Sequence, residues 1–270
     1  MAEPGKQFQS MPATSSVPEV LPEEQELLFR QVLRVLEDRD VPFAVSGAFA
    51  LRQHTGICRF TKDLDLFLSA RDATAALGYL QEQGFECEVR DPVWLAKAHR
   101  DGFFVDLITG MSNAVIHVDA SWIARAHPAE VMGVLTRVLA PEELLASKLF
   151  VVRRERFDGA DIAHIIFATR GRLDWDRVVQ LAGEHWEILL WALLLFRYAY
   201  PGQSQYVPKP VWNKLLGQLR HEVLAPNPRA RFRGSLIDDC MFAIDLQEWG
   251  LDNLLAESRA RAPKILPPAV

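Results

Sequence analysis

Apolar residues recur at helical spacing through Leu27, Leu28, Val32, Val35 and Leu36, behind an acidic opening at Leu21-Pro-Glu-Glu, and this predicts a first helix. The apolar run Pro42 to Ser46 predicts a short buried strand. Gly47 breaks it, and Ala48 to His54 reads as a short helix of small and aliphatic residues. From Lys62 to Leu68 charged and apolar positions alternate, the period-two pattern of a strand with one face in the core and one exposed. Helical spacing returns from Ala70 to Gly84. Further strands are predicted at Phe85 to Arg90, Phe103 to Ile108, Ala114 to Val118 and, as a short edge strand, Val134 to Leu139. Beyond Pro141 the pattern turns helical, over 142–156, 161–169, 175–182, 186–198, 210–222 and 235–245.

This order predicts an α+β protein: a small mixed sheet with flanking helices over residues 21–140, and a helical lobe over 141–262. Residues 1–20, rich in Pro, Ser and Ala, read as a disordered tail, and residues 263–270 as a loose one. A chain of 270 residues, 49% of them hydrophobic, can bury one large core or two modest ones. Its first twenty residues lack the basic start and apolar run of a secretory signal. The most apolar stretch, Ile188 to Phe196, is about half the ~20 residues that span a bilayer, and predicts a buried helix with no membrane role.

Three separated cysteines, Cys58, Cys87 and Cys240, form no CxxC pair, and the seven histidines show no metal-ligand spacing. Zinc chemistry and a disulfide framework are not indicated, and a reducing cytoplasm fits. The net charge of −5 argues against a whole surface that grips nucleic acid. The local cluster Arg229-Ala-Arg-Phe-Arg-Gly234 combines cations with an aromatic and could track an RNA end, although a solvated charge run is the simpler reading. Serine-hydrolase and P-loop signatures are missing from the sequence.

The chemistry concentrates on one strand. Asp63 and Asp65, two positions apart, point to the same side with Cα atoms about 6 to 7 Å apart, close enough to converge on shared cations. Hard divalent ions such as Mg²⁺ prefer carboxylate and phosphate oxygens, and two-ion sites bridge such groups. An isolated Asp-x-Asp is more often a solvated strand face. Here a strand, a Ser46-Gly47 turn and a small-residue helix precede it, and a glycine at a helix N-terminus lets backbone N–H groups approach a phosphate. Asp106 sits in the otherwise apolar Phe103-Phe-Val-Asp-Leu-Ile108, where an unpaired carboxylate would be costly and a partner is demanded.

The run Phe43 to Leu68, with a second block from Glu143 through Lys148, Arg154, Arg156 and Asp158 to Asp161, resembles the nucleotidyltransferases of the DNA polymerase β superfamily. The resemblance is closer to their AbiEii-like toxin, or minimal nucleotidyltransferase, branch. It implies a phosphate-binding turn at Ser46 and Gly47, metal ligands at Asp63, Asp65 and Asp106, and leaving phosphates held by Lys148. It also gives Arg59 and Asp161 a place in the site. It implies an NTP substrate, two Mg²⁺ ions, and transfer of an NMP to an acceptor hydroxyl on tRNA, a protein or a small molecule, with an antitoxin protein as a partner. The turn here is Ser-Gly where that family has Gly-Gly or Gly-Ser. The rival reading is a non-catalytic nucleotide- or partner-binding module of the same fold. Asp158 reads as a helix-start residue outside the site.

Overall fold

The computed structural model describes residues 21–267, so the expected disordered tail at 1–20 lies outside the described residues. Helix α1 (Glu23–Asp38) carries Leu28, Phe29, Val32, Leu33 and Leu36 on its buried stripe, and Glu23, Glu24 and Glu26 in its first turn favour the positive helix end. Strand β1 (Phe43–Val45) is wholly buried, and α2 (Gly47–Thr55) follows without a break, opening at Ser46. Next come β2 (Asp63–Leu68), α3 (Ala70–Glu82), β3 (Glu86–Asp91), β4 (Leu95–Arg100) and β5 (Phe103–Ile108). A short helix α4 (Ala120–Arg125) leads into the hairpin β6 (His127–Val131) and β7 (Val134–Val138).

These seven strands form one mixed sheet in the order β3-β4-β5-β2-β1-β7-β6. Strands β2 and β5 run parallel, as do β1 and β7, and the remaining neighbours are antiparallel. Helices α1 and α3 pack on one face, over buried positions that include Ala96, Ala98 and Val105. The alternate positions of β2 and β5 face the other way. There Phe67 is closed off by Trp122 of α4, the two rings stacked at 6.0 Å, which leaves the preceding positions Asp63 and Asp65 at the border of the covered region.

Past the sheet lie α5 (Pro141–Lys148), the small hairpin β8 (Val152–Arg153) and β9 (Arg156–Phe157), and helices α6 (Gly159–Ala168), α7 (Trp175–Ala182), α8 (Trp186–Ala199) and α9 (Lys209–Leu224). The chain closes with α10 (Gly234–Ile237), α11 (Ala243–Gln247) and α12 (Leu254–Arg261). The predicted α+β class, with a mixed sheet and a helical C-terminal region, is what the structure has. One contiguous cluster of buried apolar side chains runs from Leu28 to Ile265 and joins sheet and helices.

Several predicted elements differ. The segment 114–118 contributes only an isolated bridge, Gly110 to His117. Val134–Val138 is no edge: β7 lies between β1 and β6. The helix expected over 142–156 stops at Lys148, because Val151 and Val152 lead into the hairpin, and the one expected over 235–245 is broken between α10 and α11. Of the segment read as a loose tail, the described residues 263–267 are docked instead. The N–H of Ile265 donates to the Pro92 carbonyl at 2.7 Å, and Ile265 is buried. In the apolar stretch, α8 buries Leu189, Leu190, Leu193 and Phe196, and a short turn at Gly183–His185, where Gly183 takes φ +53°, separates it from α7.

Candidate active site

Parallel pairing in register sets Asp65 beside Asp106 and Asp63 beside Phe104, so all three carboxylates rise from the same face of adjacent strands. Strand β2, which carries Asp65, is held between β5 and β1. The Asp65 carbonyl accepts the N–H of Ser46 at 2.8 Å, and its carboxylate lies over Gly47. A Cβ on Gly47 would stand 1.8 Å from Oδ2 of Asp65, and Gly47 has φ +57°, which L side chains rarely adopt. Gly47 thus makes room for a carboxylate at the start of α2. Ser46 is buried at the N-cap position, with no side-chain cap hydrogen bond.

Burial raises the pKa of Asp65 to about 7, and the neighbouring charges of Asp106 and Asp63 add to the rise beyond what Lys148 and Arg156 offset. Burial also pushes Asp106 up, against the ion pair with Lys97, whose Nζ lies 2.6 Å from Oδ1 of Asp106. Crowded carboxylates of this kind are under-compensated, and the donor set, all hard oxygens, is of the kind a divalent cation takes, while the one cluster of Asp, Glu, His or Cys side chains among the described residues whose ligand atoms already lie within 4.8 Å of one another is Asp238, Asp239 and Cys240. In the metal-free protein Asp65 holds its proton more tightly folded than unfolded. The unfolded chain therefore releases that proton first as pH rises, and the contribution of Asp65 to stability falls between about pH 4 and pH 7, levelling above. Thermal melts without divalent ions are expected to show this fall in wild type relative to Asp65→Asn.

The second block supplies a charged network next to Asp65. Lys148, at the end of α5, is only 8% exposed. Its ammonium donates to Asp158 at 2.8 Å and pairs with Asp161 at 2.9 Å. Arg59 meets the other oxygen of Asp161 at 2.6 Å, and Arg156 donates twice to Asp158 at 3.1 Å. Burial pushes Asp158 upward, but the bonds from Arg156 and Lys148 outweigh it and hold the carboxyl below its ordinary value. Helix α5 is buried along its whole length and is anchored through Glu143, which pairs with Arg177 at 2.9 Å and Arg125 at 3.2 Å. Lys148 is thus delivered from a fixed helix. Lys148→Met would leave two buried carboxylates short of a cation, and equilibrium unfolding is expected to show a loss of about 3 kcal/mol.

The structure therefore brings Ser46, Gly47, Asp63, Asp65 and Asp106 to one place and Arg59, Lys148 and Asp161 to the network beside it. Asp158, read from the sequence as a helix start, makes no cap hydrogen bond and is the partner of Lys148 and Arg156. Lys97 was missed because its strand was missed. A cavity of about 220 Å³ adjoins the network at Arg156, walled by Trp94, Met111 and Phe150 with Arg153 at its rim. The basic cluster at 229–234 is engaged elsewhere: Arg231 pairs with Asp252 and Glu257, and Arg233 with Glu187.

Comparison with known sequences gives the class of protein in which this strand pair and lysine network lie. Residues 25–185 match the family described as "Nucleotidyl transferase of unknown function (DUF2204)", more than half of the chain, and the protein belongs to that family. It is a nucleotidyltransferase, and an NTP substrate follows. No curated protein matches the sequence. Among solved structures, the antibiotic-resistance factor ANT(2'')-Ia is 15% identical, with TM-score 0.46 over 67% of this chain and 100% of that one. A nucleotidyltransferase-like antigenic protein from Paracoccidioides brasiliensis is 18% identical, with TM-score 0.44 over 69% and 94%. The lincosamide antibiotic adenylyltransferase LnuA is 16% identical, with TM-score 0.39 over 54% of this chain and 96% of that one.

Proposed function

We propose that the protein transfers an NMP from an NTP to an acceptor hydroxyl, with two divalent cations, Mg²⁺ in the cell, held by Asp63, Asp65 and Asp106. The observation that carries this reading is Asp65 itself: a carboxylate crowded by two others and lodged over a glycine that exists to admit it. Bound ions would neutralise phosphate charge and acidify the acceptor hydroxyl. Asp106, on the β4 side, would take the acceptor proton. The N-terminus of α2 at Ser46 and Gly47 would receive the phosphates, since its first N–H groups lack helical partners.

Lys148 acts here in a different way from a free phosphate-gripping lysine. Its ammonium is committed to Asp158 and Asp161, so we assign it to holding that network and its positive field beside Asp65. Arg156 and Arg59 also pair with Asp158 and Asp161, but their side chains are 70% and 43% exposed, and the guanidinium N–H groups outside those pairs would reach the departing pyrophosphate from the rim. The acceptor is a hydroxyl of RNA, protein or a small molecule. The AbiEii-like branch, with its toxin role and antitoxin partner, is the narrower form of this proposal and rests on the two sequence blocks, Phe43 to Leu68 and Glu143 to Asp161; a cytoplasmic location, proposed from the separated cysteines, goes with it.

Incubation with each α-³²P-labelled NTP, Mg²⁺, and RNA, protein or small-molecule fractions of a cell extract tests it. Label in an acceptor made by wild type and lost in Asp63→Ala/Asp65→Ala is expected, and the labelled fraction identifies the acceptor class. Nucleotide binding without transfer under all of these conditions would assign the protein instead as a non-catalytic module.

A further inference from the structure

The three acids are not equivalent. Antiparallel pairing of β4 with β5 sets Lys97 directly across from Asp106, and their ion pair spans 2.6 Å with side chains only 19% and 14% exposed. The ammonium also sits 5.5 Å from the centre of the Phe104 ring, which holds it on the acid face of the sheet. On the far side of Asp65 the cations Lys148 and Arg156 are instead tied to Asp158 and Asp161. One member of the triad therefore carries its own cation. A divalent ion on the second oxygen of Asp106 would stand within about 5 Å of the ammonium on the first, and at that distance the like charges repel.

Lys97 also has an alternative place to go. Its register partner on β3 is Glu88, and facing cross-strand side chains lie within reach of each other. Glu88 itself leans on Arg90 at 3.2 Å, with its side chain 42% exposed, so it is accessible to a second cation.

We propose that Lys97 is a positioning residue that acts as a competing counter-cation: it occupies Asp106 in the nucleotide-free protein and yields it to a divalent ion only when nucleotide phosphates arrive to share that ion. The second ion site is then assembled by the substrate, and the free enzyme does not hold its base in a metal-charged state. This rests on the nucleotidyl-transfer reading and adds a gate to it.

The test is Mn²⁺ binding followed by the electron paramagnetic resonance of free Mn²⁺, on the full chain, with and without each α,β-methylene nucleoside triphosphate. Wild type is expected to bind Mn²⁺ weakly alone and markedly tighter with nucleotide. Lys97→Met is expected to bind about tenfold tighter than wild type without nucleotide, with a smaller gain on adding it. Lys97→Arg should behave as wild type, and adding Asp106→Asn to Lys97→Met should cancel the gain. Lys97→Gln replaces Lys97→Met if melting curves show the latter unfolded. Nucleotide-free binding that is unchanged or weaker in a folded neutral variant overturns the gate while leaving the transfer reading intact. Mn²⁺ binding that is the same in wild type and Asp63→Ala/Asp65→Ala, with nucleotide present, removes both.

Discussion

Asp65→Asn is expected to lower nucleotidyl transfer by roughly 10²- to 10³-fold, the scale of losing an electrostatic contact made to the transition state. The same change is expected to raise the melting temperature of the metal-free protein above pH 7. The two effects have one cause. The carboxylate is buried among Asp106 and Asp63, so in the metal-free protein its charge works against folding, and a neutral amide of the same shape relieves that repulsion. Activity falls because the relieved charge is the one proposed to bind cations. A purely structural aspartate would behave otherwise, with stability and activity falling together. Added Mg²⁺ should stabilise wild type more than the variant, since a ligand stabilises only the state that binds it.

Gly47→Ala is expected to cost activity at least about 10²-fold, comparable to a displacement of a catalytic group by an ångström. The added methyl would fall 1.8 Å from Oδ2 and 2.7 Å from Cγ of Asp65, and it would also have to be carried at φ +57°. Either the carboxylate leaves its place or the first turn of α2 does. Both routes dismantle the relation between acids and helix N-terminus, so the loss should appear in kcat together with weaker Mn²⁺ binding. Gly56→Ala is the control, because Gly56 also has positive φ but open space at its Cβ position. It should lose a modest amount of stability and leave kcat nearly unchanged.

Much of the site was legible because its chemistry is local. The alternation of Lys62 to Leu68 identified β2 and put Asp63 and Asp65 on one face, and the apolar run around Asp106 identified β5. Gly47 stood out as a break between strand and helix, although the reason for it lies eighteen positions away in a side chain it must admit. Strand β4 was not legible, since its inward positions are Ala96 and Ala98. Alanine is a poor strand former, chosen there by the close approach of the α3 layer, so the tertiary fit decided the element and Lys97 went unread. Asp158 stands at the helix start where the sequence put it, but its ion pairs were not legible, for the same kind of reason. Next to a glycine and ahead of an apolar helix it looks like a cap, and only the β8–β9 hairpin brings it back to Lys148, ten residues earlier. The hairpin was hidden by helical spacing that continued past Lys148 on paper, while Val151 and Val152 favoured extended backbone.

The most direct test of the central claim is a crystal structure with Mn²⁺ and an α,β-methylene nucleoside triphosphate, read from the anomalous signal of manganese. The account predicts ions coordinated by Asp63, Asp65 and Asp106, with the triphosphate running from them toward Gly47 and Arg156. Nucleotide bound without manganese at those three carboxylates, or manganese found only at the Asp238, Asp239 and Cys240 cluster, would contradict it.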